Sequence, residues 1–256
     1  MKISVITVSF NSAATIVDSI RSVASQSYPD VEHIVVDGGS RDGTQELVRS
    51  CGERIAKFVS ERDEGIYDAM NKGIRLATGD VVGFLNSDDV FASPEALETI
   101  ARVFDDPSVD LCYGDVVYVA RNDPRRVVRR YRSGPYLTNA FDRGWMPAHP
   151  TFYVRRRCYE ELGGFDLEYK LQADFELAMR FIQIHRLRSV YLPQVMVRML
   201  TGGASNASVR NVIRGNLEAY RACRKHQRPV GPLFVIRKVL SRIPQFLFRP
   251  KSSEES

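Results

Sequence analysis

No stretch of this chain approaches the roughly 20 consecutive apolar residues that a membrane-spanning helix needs, so no span is predicted. Cysteine is sparse: Cys51, Cys112, Cys158 and Cys223 stand far apart, with no C-x-x-C. That spacing argues against a zinc site and for a reducing compartment. The glycine fingerprint G-x-G-x-x-G is missing, because the first apolar run is followed by Ser9-Phe10-Asn11-Ser12-Ala13-Ala14. Its absence sets aside a nicotinamide dehydrogenase. A nucleotidyltransferase of related fold should carry a Gly- and Lys-rich phosphate loop at the same place, and none is there. The basic clusters lack interleaved aromatics on any recognisable motif, so no nucleic-acid partner is expected. Met1-Lys2 leads straight into Ile3-Ser4-Val5-Ile6-Thr7-Val8, too short for a signal-peptide core. The resulting expectation is a cytoplasmic protein.

What is present is an ordinary globular composition: 256 residues, 44% hydrophobic and 26% charged, enough for one large α/β domain or a domain with an appendage. The net charge of +5 is uneven. The first hundred residues are acidic to neutral. Arg125-Arg126, Arg129-Arg130-Tyr131-Arg132, Arg155-Arg156-Arg157 and the last forty residues are basic. Such asymmetry predicts an anionic partner.

The chain is organised around residues 79 to 89, where the apolar run Val81-Val82-Gly83-Phe84-Leu85 stops at Asn86-Ser87-Asp88-Asp89. A run without polar alternation reads as a strand covered on both faces. Its carboxyl end is where open α/β sheets bind ligands. Adjacent carboxylates repel, so they point to a hard divalent cation carrying a phosphate, with a solvated turn as the alternative. Before it, strands are predicted at residues 3 to 9, 31 to 36 and 55 to 59. Helices between them start near Asn11-Ser12 and Ser40-Asp42-Thr44 and carry Ile66, Met70 and Ile74 on one stripe. This β-α-β-α-β-α-β order predicts a doubly wound, mostly parallel sheet. It also sets Asp37 and the Asp88-Asp89 pair on one sheet edge. A helix start is expected at Ser93-Pro94-Glu95. Strands are expected at 109 to 119, 126 to 131 and 189 to 200, a helix after Gln172 with Asp174 in its first turn, and two closing helices at 207 to 226 and 233 to 248. Trp145 and His149 lie in a loop-like stretch, 133 to 150, as possible pocket walls or as simple packing.

Four segments in order resemble the inverting family 2 glycosyltransferases of GT-A fold, over roughly residues 1 to 205. They are Ile3 to Asn11, Val35 to Thr44, Asp63 to Ile74 and Asn86-Ser87-Asp88-Asp89, the last similar to the family's D-x-D motif. The third is similar to a segment of bacterial polysaccharide-biosynthesis members. The resemblance implies a nucleotide-binding half at 1–105, an acceptor half at 106–205 and a basic helical extension at 206–256. It implies Thr7 and Ser9 at the base pocket, Asp37 on uracil or ribose, and Asp63 and Lys72 among the donor-binding residues. Asp88 would touch ribose or sugar, Asp89 would bind Mg²⁺ or Mn²⁺, and Asp174 would be the catalytic base. The implied reaction is transfer of one sugar from a nucleotide-sugar, UDP-sugar first, to a saccharide or polyprenyl-diphosphate-linked acceptor in surface polysaccharide or glycolipid synthesis. A carboxylate opposite the leaving group takes the acceptor's proton. No Gln-x-x-Arg-Trp motif is present, which implies single addition. Alternatives are a catalytically inactive sugar-nucleotide-binding or scaffold protein and a nucleotidyltransferase. A homodimer is a further expectation. So is a helix at 233 to 248, either lying on the inner membrane as a peripheral anchor, with Phe234, Leu240, Phe246 and Phe248 dipping below basic residues such as Lys238, or packing on the catalytic domain or in a dimer interface.

Overall fold

The computed structural model describes residues 1–202, 209–231, 233–235 and 238. Its frame is a nine-stranded sheet. β1 (Ile3–Ser9), β2 (Val31–Asp37), β3 (Lys57–Ser60) and β4 (Val81–Phe84) are joined in parallel in the order β3-β2-β1-β4. The helices α1 (Ile16–Ala24), α2 (Thr44–Ser50) and α3 (Ile66–Leu76) make the crossovers. The chain steps outward from β1 to β3, then returns through α3 to the other side of β1. The order therefore reverses between β1 and β4, the switch point at which such sheets leave a crevice at their carboxyl ends.

Alternation along β1 explains the layers. Ile3 and Val5 face a core that contains Leu97 and Ile100 of α4 (Ala96–Val103). Ile6 and Val8 face the larger core with Met70 of α3. Gly73 lets α3 sit close on the sheet, since a Cβ there would stand 2.4 Å from Ile6 Cγ2.

The second half of the sheet is mixed. β8 (Tyr153–Arg155) runs antiparallel between β4 and β6 (Leu111–Ala120). β9 (Ser189–Leu200) lies parallel to β6, and β7 (Asp123–Tyr131) folds back on β6. β5 (Asp89–Phe91) pairs antiparallel with β9 and starts on the second acid of the organising motif. Six of the nine strands (β1 to β4, β6 and β9) thus run one way. The predicted doubly wound, mostly parallel α/β architecture stands. α5 (Arg156–Leu162) and α6 (Ala173–Met179) follow, the latter running into a π-helical turn, Arg180–Ile184.

α7 (Val209–Lys225) packs on α6, and Ala219, Ala222 and Cys223 share one core with Phe175, Leu177 and Ala178. Phe234 belongs to the same core, with its ring 6.3 Å from those of Phe175 and Tyr220. Lys238 is buried too, with Nζ donating to Gln172 Oε1 at 2.6 Å and lying 4.2 Å from the Phe175 ring centre. The expected membrane face of Phe234 and Lys238 is corrected: both are turned into the protein. Leu240, Phe246 and Phe248 lie outside the described residues. Among the described residues no helix is long and apolar enough to cross a membrane. The four cysteines are free and buried.

Candidate active site

The carboxyl ends of β1 and β2 are locked together by Asp37. Its buried carboxylate accepts from the hydroxyls of Ser9 (3.1 Å), Ser60 (2.7 Å) and Ser40, and from the backbone N–H groups of Gly39 (3.1 Å) and Ser40 (2.9 Å). Burial alone would raise its pKa, but the hydroxyls and N–H groups reverse this and hold it below the ordinary carboxylate value. Asp37 thus organises the turn, with its lone pairs largely committed to the protein. Thr7, expected at the base pocket, is fully buried inside β1 and hydrogen-bonded to His33 Nε2 at 2.9 Å. Ser9 is buried with its hydroxyl on Asp37.

The loops after β1 and β2 are stitched to one another. Asn11, at a left-handed φ of 49° that asparagine tolerates, accepts from Arg41 N at 3.0 Å and donates its own N–H to Ser40 Oγ at 2.7 Å. The N–H of Ser12 goes to Thr44 Oγ1 and that of Ala13 to Asp42 Oδ2. α1 has no side-chain cap bond, a correction to the capping role expected of Asn11-Ser12, whereas at α2 Asp42 Oδ1 accepts from the N–H of Thr44, the first residue of the helix, at 3.1 Å. Phe10 between them is left 65% exposed, and its ring edge lies 3.4 Å from where a Gly38 Cβ would be. The sequence reading passed over Phe10, although an aromatic residue inside a polar turn at a strand end is itself a signal.

Asp63 stands beside this turn. Its Oδ1 accepts from Gly65 N at 2.9 Å, and its Oδ2 would lie 2.5 Å from a Cβ on residue 38, so a side chain there would displace the Asp63 carboxylate. Lys72, by contrast, is engaged by Glu61 (2.9 Å), Asp68 (3.7 Å) and the Arg62 carbonyl (2.9 Å). Burial opposes its charge, but those acids hold its pKa above the ordinary lysine value. It fixes the loop that carries Asp63.

Across the switch point, the Asn86-to-Asp89 turn is tied to the first loop by a Ser87–Ser12 hydroxyl bond of 2.8 Å and to α1 by Ser19 Oγ donating to the Asn86 carbonyl at 3.0 Å. Asp89 is 1% exposed, and its Oδ2 accepts from Asn86 Nδ2 at 2.9 Å. Asp88 is the half-buried, accessible member. Burial raises the pKa of both acids, and the neighbouring charge of Asp88 pushes Asp89 further up; Arg121, on the β6–β7 turn, works the other way on Asp88. Asn86 Oδ1 is buried with no protein partner. Two poorly compensated carboxylates and an orphaned amide oxygen are oxygen donors of the kind that Mg²⁺ or Mn²⁺ takes. Asp88 is the more accessible of the two, and Asp89 is enclosed behind Asn86. Among the described residues no group of three or more His, Cys, Asp or Glu converges on a metal position. Any cation here would therefore need oxygens from a ligand as well.

The third group is centred on Asp174 in the first turn of α6, where the helix dipole favours an acid. Tyr67 of α3 donates its hydroxyl to Asp174 Oδ1 at 3.1 Å, and Phe175 N–H donates to the same oxygen at 2.8 Å. Tyr67 stacks on Phe165 at 5.4 Å, which in turn meets Phe84 of β4 at 5.4 Å. His149 lies on Phe84 (5.5 Å) and edge-on to Phe165 (5.6 Å), with Nε2 buried and unpartnered. Burial lowers its pKa, and Asp174 is near enough to oppose that. His149 thus shares Asp174's surroundings. Trp145 does not: its indole N–H donates to the Ser133 carbonyl at 2.6 Å, and its ring packs on Tyr113, Tyr136 and Phe141. Its place is in the framework rather than at a pocket wall.

The turn before α6 is held from the C-terminal side. Glu218 of α7, 4% exposed, accepts from Leu171 N at 2.7 Å and Gln172 N at 3.2 Å through Oε2, and from Arg214 Nε at 3.1 Å through Oε1. Nothing in the spacing of α7 reveals this long-range contact.

With this geometry in place, similarity to known proteins can be set beside it. The sequence model described as glycosyl transferase family 2 matches residues 4–163. "PGL/p-HBAD biosynthesis glycosyltransferase" proteins of Mycobacterium bovis and Mycobacterium tuberculosis are 32% identical over 218 residues, 80% of this chain and 80% of theirs. Among solved structures, residues 1–349 of Staphylococcus aureus TarS superpose with a TM-score of 0.69 at 20% identity, covering 99% of this chain and 77% of that one. A mannosyltransferase of Pyrobaculum calidifontis, in complex with GDP-Man and Mn²⁺, gives 0.65 at 22% identity, with 94% and 69% covered. These two likenesses show the fold, which is that of GT-A enzymes. By its sequence match and its mycobacterial relatives, this chain belongs to glycosyltransferase family 2.

Proposed function

We propose that the chain moves a single sugar from a nucleoside-diphosphate sugar to a hydroxyl group, with inversion at the anomeric carbon. The observation that carries this reading is the Asn86-Ser87-Asp88-Asp89 turn at the sheet's switch point, with its acids poorly compensated and an amide oxygen orphaned. Asp88 is the residue we assign to direct cation contact. Asp89 and Asn86 shape the charge behind it. A bound Mg²⁺ or Mn²⁺ would supply positive charge to the departing diphosphate.

The residues of the chain then divide the remaining work. Phe10 offers an exposed aromatic face for the nucleotide base. Asp63, beside Gly38, lies within reach of a ligand at the same turn, while Asp37 and Lys72 hold the loops in shape. Thr7 and Ser9 support the turn from within. Asp174 takes the proton of the attacking hydroxyl; Tyr67 fixes its orientation by donating to Oδ1. Its second oxygen, Oδ2, remains to accept that proton. His149 Nε2 provides a further polar contact for the acceptor.

UDP-sugar is the donor we propose first, because TarS structures are described in complex with UDP and UDP-GlcNAc. The mycobacterial relatives are named for PGL/p-HBAD biosynthesis, and a lipid-linked or saccharide hydroxyl is the acceptor we propose. Donor choice is tested by measuring hydrolysis of UDP-, GDP- and dTDP-sugars with Mn²⁺. NMR of the released sugar before mutarotation shows the anomer. Release from no nucleotide-sugar, or retention of configuration, refutes the reading.

A further inference from the structure

Much of the positive charge that suggested an anionic partner is used inside the fold. Arg155 donates to the carbonyls of Phe104, Asp106 and Val109, Arg156 to that of Gly79, and Arg157 pairs with Asp110 at 2.8 Å. The expectation that this triplet meets an external anion is corrected. α7 differs. Its inner side, with Gly215, Asn216, Ala219, Ala222 and Cys223, is buried. Its outer side carries Arg210, Ile213, Arg214, Leu217 and Arg221, which line one shallow groove. That is the i, i+3, i+4, i+7, i+11 spacing of a single helix face. Ile213 is 55% exposed and Leu217 45%.

We propose that this face docks on an anionic phospholipid surface. The two aliphatic side chains of this face, Ile213 and Leu217, would enter the boundary between headgroups and acyl chains, and Arg210, Arg214 and Arg221 would rest on the phosphates. The arrangement of charge selects this occupant over a second copy of the chain. Glu218 is the only acid of α7, and it is turned inward onto Leu171 and Gln172. A two-fold contact through this face would set arginine against arginine. Arg214 is paired with Glu218, whereas Arg210 and Arg221 have no acid within ion-pair distance among the described residues. The inference rests on the proposed reaction for its purpose: the helix that would meet lipid also holds the turn carrying Asp174. A lipid-anchored acceptor and the base are thereby referred to one element.

The test is flotation of the full chain with vesicles of phosphatidylcholine alone and of equimolar phosphatidylcholine and phosphatidylglycerol. The protein should float with the second and not the first. An arginine near an anionic surface contributes about fivefold in affinity, so Arg210→Glu with Arg221→Glu should weaken binding about 30-fold or more. Ile213→Glu with Leu217→Glu should abolish it, and Ile213→Ser with Leu217→Ser should reduce it while disturbing the helix less. Circular dichroism confirms that each variant is folded. The inference is overturned if the wild type ignores phosphatidylglycerol or binds both vesicles equally. It is also overturned if these variants float like the wild type, or if their effect is to convert a dimer to a monomer. Release of sugar from the donor, read without lipid in the same preparations, tests the reaction separately. Its absence from the wild type would sink the proposed function and leave the flotation result standing.

Discussion

Glu218 gives the sharpest test of whether α7 takes part in catalysis. Replacing it by glutamine keeps the shape and removes the charge. Hydrogen bonds to a charged acceptor contribute about 1.5–3 kcal/mol, and neutral ones about 0.5–1.5. The two N–H groups of Leu171 and Gln172 should therefore lose about 2 kcal/mol together. The third partner, Arg214, is 60% exposed, so its ion pair adds less than about 1 kcal/mol. For a chain of this size 1 kcal/mol moves Tm by about 2–4 °C, and Glu218→Gln should lower Tm by about 4–8 °C. Arg214→Ala, which removes only the exposed partner, should shift it by less than half as much. The functional effect follows from position. Leu171 and Gln172 enter the first turn of α6, and a misplacement of about 1 Å at a reacting group can lower the rate about 10²-fold. Glu218→Gln is expected to lower kcat by about 10- to 100-fold with the donor KM unchanged. The assays are differential scanning fluorimetry and initial-rate kinetics. A lower Tm with unchanged kcat would make α7 a structural support only; no change in either would refute the reasoning outright.

Other outcomes follow from the same geometry. Asp174→Asn retains an acceptor for Tyr67 and loses basicity, so turnover should fall by roughly 10²–10⁴ while calorimetric donor affinity survives; near-normal turnover rules out the assignment. Phe10→Ala should weaken UDP binding by roughly 5- to 100-fold if the ring stacks on the base, and unchanged affinity would remove Phe10 from the site. Glu32 tests the opposite end of the sheet. Burial there would raise its pKa, but the hydroxyl of Ser4, the N–H and hydroxyl of Thr78 and the Lys57 ammonium lower it from 4.5 to about 2. Because the folded-state pKa is depressed, this contribution is complete above about pH 4.5 and is lost as pH falls towards 2. It amounts to at most about 3 kcal/mol. In urea unfolding, the deficit of Glu32→Gln relative to the wild type should be largest at pH 7 and smaller at pH 3. A deficit independent of pH contradicts this reading.

The parallel half of the fold was legible because both of its signals are local. Strands buried on both faces read as uninterrupted apolar runs, and each crossover helix carries its own stripe. The short strands β5 and β8 were not legible. At three residues each, they owe their existence to partners far along the chain, Asp89 opposite Met199 and Val154 opposite Leu111. The acids of the site could be named from sequence, but their surroundings could not. Whether Asp88 or Asp89 is the more accessible, whether Asp37 is free or saturated, and what holds the turn before Asp174 depend on how side chains meet in the fold: Ser9 and Ser60 on Asp37, Glu218 on Leu171 and Gln172, and Asn86 on Asp89. The basic triplet at 155–157 misled for a related reason, since charge density in sequence does not reveal which arginines are bonded to backbone carbonyls.

The assignment of Asp88 to a divalent cation that holds the donor diphosphate stands at the centre of the proposed reaction. It is tested by calorimetric titration of UDP into the wild type and Asp88→Asn, each with Mn²⁺ and with EDTA. Wild-type affinity should collapse in EDTA, and Asp88→Asn should bind UDP as weakly with Mn²⁺ as without it. UDP affinity in the wild type that is the same with Mn²⁺ and with EDTA, or in Asp88→Asn as strong and as metal-dependent as in the wild type, would contradict it.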